Sequence, residues 1–113
     1  MLSYEKLRAL CPRLFALTEP VNVQVMPGWA RIVKQLAMTL EERFPELNVV
    51  QIKEKFGGLR FYTDRTFGES LTLINAAEEE AGRTCGQCGL PGKLIHPPKG
   101  WMATLCDGCA STA

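Results

Sequence analysis

The sequence predicts an α+β fold: helices packed on a small antiparallel β-hairpin or sheet, followed by a zinc-ribbon or treble-clef-like module. Three observations carry this reading. Apolar residues recur at helical spacing from Trp29 to Leu40, they alternate on both sides of Gly57-Gly58, and two Cys-x-x-Cys pairs close the chain. With 113 residues, 46% of them hydrophobic, the chain suits one folded core with a small appendage. The expected division is a core over residues 1–83 and a four-cysteine module over residues 84–113, packed on it.

The elements follow in order. Ser3 can cap a short helix through about Leu10, with Leu2, Leu7 and Leu10 as apolar contacts and Pro12 just past its end. Cys11, at that edge, reads as a small buried or half-buried side chain. "LTEPVNVQVMPG" is expected to be irregular or briefly extended. "GWARIVKQLAMTLEERF" is the clearest helix: Trp29, Val33, Leu36 and Leu40 form one stripe, and Ile32 and Phe44 widen it. Pro27 and Gly28 mark its entry and Pro45 follows its exit. Arg31, Lys34, Gln35, Glu41, Glu42 and Arg43 fall on the wetter faces, and Trp29 reads as a packing anchor.

In "NVVQIKEKFGGLRFYTD" the period changes to two, which predicts a β-hairpin turning at Gly57-Gly58. Val50, Ile52, Leu59 and Phe61 are expected to face the long helix, with Phe56 covering the sheet end. The opposite face then carries Lys53, Lys55, Arg60 and Tyr62, a mixed basic and aromatic surface that can touch phosphates or an acidic partner. A further helix is expected from about Leu71 to Ala81, with Leu73, Ala76, Ala77 and Ala81 as small apolar contacts and Gly82 as its stop. The run Glu78-Glu79-Glu80 reads as a solvated face, because adjacent helical residues do not share a pocket.

Cys85 and Cys88 are separated by seventeen residues from Cys106 and Cys109. Each Cys-x-x-Cys turn can aim two thiolates at one ion, and two turns complete a tetrahedron, which makes structural zinc the expected cofactor. Gly86, Gly89 and Gly108 are expected to let backbone amides approach the sulfurs. A thioredoxin-like dithiol and an iron–sulfur cluster are the competing readings. "KLIHPPKGWMATL" can return the chain as a short ribbon, and "CDGCA" can form a second knuckle or open a brief terminal helix. His96, the one histidine, is redundant beside four cysteines and is expected at the surface or near the ligands. Trp101 can cover the module or project to a partner, with buried packing preferred.

The formal charge is +1, from 13 basic and 12 acidic residues. Four thiolates around one dication would carry that count to about −1, which argues against broad electrostatic binding of nucleic acid. No apolar run has the length of a membrane helix and no signal core opens the chain, so a cytoplasmic protein is expected. Four cysteine ligands leave a metal no open position, and no nucleophile–base–orienter set stands out, so the expectation is a non-enzyme. A pocket joining Asp64, Glu69 and His96 would be the sign against it.

The stretches "GWARIVKQL", "IKEKFGGLRFY" and "CGQCG…GWMATLCDGC" resemble small bacterial and bacteriophage proteins with a terminal zinc-knuckle or zinc-ribbon-like module. The likeness runs from about Gly28 to Cys109, implies metal binding by the cysteines, and assigns no activity. The leading function is a small zinc-stabilised protein-interaction or regulatory protein, with Lys53, Lys55, Arg60, Tyr62 and Trp101 as partner-binding residues; a homo-oligomer is compatible with it. The alternative is nucleic-acid binding, in which Lys53, Lys55, Arg60, Lys93, His96 and Lys99 contact phosphates and Tyr62 or Trp101 stacks on a base.

Overall fold

The computed structural model describes residues 2–17, 20–96 and 100–111; Lys99 lies outside these. Helix α1 (Tyr4–Leu10) begins where the Lys6 N–H donates to the Ser3 hydroxyl, 3.3 Å away. Leu7 is fully buried and Leu2 packs partly against the core, whereas Leu10 is exposed. Cys11 is also fully buried.

Strand β1 (Asn22–Val23) is a brief parallel partner that the sequence did not single out as a strand; it pairs Asn22 with Gln51 and Val23 with Ile52 of β2 (Val49–Lys55). A 3-10 turn, Pro27–Trp29, leads into helix α2 (Ala30–Arg43), whose buried stripe is Ile32, Val33, Leu36, Ala37 and Leu40. Glu41 departs from the wet-face expectation. Its carboxylate accepts the Leu14 N–H at 2.7 Å and the Arg13 N–H at 3.0 Å, tying the segment after α1 to α2.

Strands β2 and β3 (Gly58–Thr63) form the antiparallel hairpin. A bulge between Val49 and Gln51 shifts the alternation by one residue. Val49 is therefore fully buried and Val50 is exposed, the reverse of the expected orientation, while Ile52, Leu59 and Phe61 face the core as the period requires. The turn also sits one residue earlier than expected. Lys55 pairs with Gly58, so the central residues are Phe56 at φ 54° and Gly57 at φ 82°. Positive φ at both centres is the twist-matched two-residue turn. Phe56 thus occupies a position that suits glycine or asparagine, and its ring is 65% exposed rather than folded over the sheet end.

Helix α3 (Gly68–Ala81) starts earlier than the sequence suggests because Ser70 closes its first turn, accepting from the Phe67 N–H at 3.0 Å. Ile74, Ala77 and Ala81 are buried and Leu73 packs partly; Ala76 faces solvent. Of the three glutamates, Glu78 accepts the Phe61 N–H (3.0 Å) on the outer edge of β3, and Glu80 pairs with Arg31 (3.0 Å). Glu79 and the surface-paired Glu80 keep to the solvated role, and Glu78 departs from it. Helices α2 and α3 and the hairpin enclose one apolar core centred on Trp29, Val33, Leu40, Ile52 and Leu59.

The C-terminal segment holds a second antiparallel pair, β4 (Lys93–Ile95) with β5 (Ala103–Leu105), and a short helix α4 (Asp107–Ala110). Among the described residues, no helix is long and apolar enough to cross a membrane.

Candidate metal centre

The first knuckle is built on the core. The Cys85 N–H donates to the Leu90 carbonyl (2.7 Å), the Gly89 N–H returns to the Cys85 carbonyl (3.0 Å), and Gly89 closes the turn at φ 84°. Two bonds hold this loop in place. The Gly86 carbonyl accepts from Gly28, ahead of α2, at 2.7 Å, and the Gly86 N–H donates to Thr104 of β5 at 2.9 Å. Gly28 is needed for its lack of a side chain: a methyl group there would overlap the Cys85 carbonyl and stand 2.7 Å from the Gly89 nitrogen. Beside it, the buried Trp29 indole N–H donates to the Thr84 carbonyl at 2.9 Å. The packing role of Trp29 is thus also an anchor for the residue before Cys85.

The second pair comes from a helical turn. Cys106 is the N-cap of α4 and its sulfur lies 3.4 Å from the Cys109 N–H. The order is knuckle, hairpin, helix, so the arrangement is treble-clef-like rather than a ribbon of two loop knuckles.

All four Sγ atoms lie within 4.8 Å of one another, and Cys88 and Cys106 are 3.6 Å apart. Zinc–sulfur bonds of about 2.3 Å place tetrahedral sulfurs roughly 3.8 Å apart, so the cluster has the scale of one ion. Burial opposes the Cys85 thiolate, but N–H groups of Cys106, Cys88 and Gln87 outweigh it and bring its pKa down to about 6. The further thiols respond differently. The Leu90 N–H favours the Cys88 thiolate, yet burial and its sulfur neighbours Cys106 and Cys85 push the thiol upward overall. Cys109 is pushed up to about 12, chiefly by hydrogen bonding to Cys106, then to Cys85 and Cys88. One thiolate is welcome and the next are resisted. A dication removes that conflict by binding all four as thiolates, so the donor set fits a thiophilic metal. Backbone amides do reach the sulfurs, and those of Gln87, Cys88, Leu90, Cys106 and Cys109 supply these bonds.

Four cysteines therefore converge into a cluster able to hold a metal ion, with Cys85 fully buried and Cys88 at the surface. His96 is exposed and outside it. Asp64, Glu69 and His96 are not drawn together: Asp64 accepts the Asn48 N–H, Glu69 pairs with Arg43, and His96 lines a cleft beside Trp101.

Lys53, Lys55, Arg60 and Tyr62 do share the outer face of the hairpin, with Lys53 directly opposite Arg60 and its Nζ 5.9 Å from the Tyr62 ring centre. Trp101 is 89% exposed, although Leu105 points inward, so packing does not consume the indole as expected. Lys93 is exposed on β4. The sequence reading missed Phe56 as a surface group; only the turn register, ambiguous in "KFGG", could have revealed it. The chain matches no protein-family model, no curated protein and no solved structure.

Proposed function

We propose that this is a small, zinc-stabilised interaction protein whose metal is structural and which carries out no catalysis. One observation supports it above the others: four thiols crowd into a single tetrahedral-scale cluster, and a metal bound by all four has no position left for water or substrate. The cluster's backbone is bonded to the entry of α2 and to β5, so the ion's work is to fix loop geometry. The near-neutral overall charge favours a protein partner, met by the Arg60, Tyr62 and Trp101 side chains, types that anchor protein interfaces. A specific local observation favours a second reading, nucleic acid: two cations stand directly opposite each other on the hairpin beside exposed rings.

The test is native mass spectrometry with elemental analysis, in which one zinc per chain is expected. Cys85→Ser and Cys109→Ser should each release the metal and lower the melting temperature. Full metal retention and native stability in both variants would remove the coordination model.

A further inference from the structure

Three features meet at one end of the hairpin. Phe56 is held at φ 54°, in a backbone region costly for an aromatic residue, with its ring 65% exposed. Trp101 is 89% exposed on the β4–β5 connection. Both line one cleft of about 430 Å³, together with Lys55, His96, Met102 and Glu54. That size lies within the range of small-ligand sites, roughly 300–1,000 Å³. The Glu54 carboxylate in its wall is engaged by the Gly57 N–H at 2.6 Å.

The adjoining sheet face is electrostatically unfavourable on its own. Lys53 sits directly across from Arg60, and like charges in that position repel. The ion pairs among the described residues involve other side chains and leave Lys53, Lys55 and Arg60 aside. Each lysine instead rests beside a ring: Lys53 Nζ is 5.9 Å from Tyr62 and Lys55 Nζ is 5.6 Å from Phe56. Cations and aromatic faces therefore alternate along one surface. An anionic chain relieves the charge, and a chain of planar bases also uses the rings; an acidic peptide uses only the cations.

We infer that the Phe56–Trp101 cleft and the cationic hairpin face bind single-stranded nucleic acid, with bases stacked on the two rings and phosphates on Lys53, Lys55 and Arg60. This rests on the second, nucleic-acid reading above and gives it a site and a strand type. The overall charge does not oppose it, because contact is local and at physiological salt charges beyond about 8 Å are screened.

The test is fluorescence anisotropy of a labelled oligothymidine of about 12 nucleotides with zinc-loaded, full-length protein. Trp101→Ala should weaken binding by roughly 5- to 150-fold, the range for losing one stacked base. Phe56→Gly should weaken it comparably without lowering the melting temperature, since glycine takes positive φ freely. Lys53→Ala and Arg60→Ala should each flatten the log–log salt slope by about 0.7. Absence of binding by folded, zinc-loaded protein, or affinity unchanged from the parent in both Trp101→Ala and Phe56→Gly, overturns the inference. So does displacement by polyglutamate at matched charge with both aromatic variants unaffected, which would mark an acidic-protein face. Oligonucleotide binding by folded protein in which elemental analysis finds no metal supports the cleft while removing the zinc reading, so the two failures stay distinct.

Discussion

Gly28 is where a single atom decides most. Its missing Cβ lets the turn before α2 lie against the Cys85–Gly89 loop, and backbone on both sides leaves nothing flexible to yield. Gly28→Ala is expected to cost about 3 kcal/mol or more, read from the urea midpoint, because overpacking here meets main chain. Glu41 acts through charge. Burial opposes its carboxylate, but N–H groups of Leu14 and Arg13 and the Arg13 guanidinium prevail and lower its pKa. A depressed folded pKa contributes stability that is present above the unfolded value, about 4.3, and is lost as pH falls through the folded value. Glu41→Gln should therefore cost roughly 1.5–3 kcal/mol at neutral pH and flatten the acid limb of a pH–stability curve. Cys11 has the opposite sign. Burial first, and Glu41 second, raise its pKa from 9.0 to about 11. Its contribution is present below pH 9 and fades as pH rises through 11, so Cys11→Ala should be less sensitive to alkali than the parent.

Among the elements, the hairpin β2–β3 links the core to the cysteine cluster. Its turn is bonded to β5 by the Thr104 hydroxyl, which donates to the Gly57 carbonyl at 2.8 Å in a buried position. Thr104→Val keeps the shape and removes the donor, and should destabilise by roughly 1–2 kcal/mol while speeding zinc loss to a chelator. The contrast between Val49 and Val50 belongs here too. Either valine satisfies an alternating pattern, and the register is set by pairing Val49 with Thr63 and Gln51 with Tyr62, which leaves one extra residue to turn outward. Glu78 illustrates the same dependence on neighbours. On the helix it is one of three adjacent acids; against β3 it receives the Phe61 N–H of an edge strand.

For the molecule as a whole, metal and core are expected to be coupled. Trp29 is fully enclosed in the core, yet its indole donates to the carbonyl of Thr84, the residue preceding Cys85. Chelation should therefore alter a core reporter as well as the module. In a Trp101→Phe background, leaving Trp29 as the one tryptophan, metal removal is expected to red-shift its emission and lower the melting temperature. An unchanged emission spectrum after complete zinc loss would show the two parts to be independent.

The sequence by itself determined the parts whose signal is local: the α2 stripe, the Ser3 cap, the period-two strands and the paired cysteines, since each rests on spacing within a few turns or a single loop. It also marked Lys53, Lys55, Arg60 and Tyr62 as one face. What the tertiary structure decided was every feature set by a distant partner. The parallel strand β1 exists because Ile52 offers it an edge, and Phe56 rather than Gly58 enters the turn because strand pairing fixes the register. Trp101 is left outside although Leu105 on the same segment turns inward, and Gly28 is glycine because the Cys85 loop, 57 residues on, lies against it. Spacing along the chain specifies which side chains share a face; only folding specifies what that face meets.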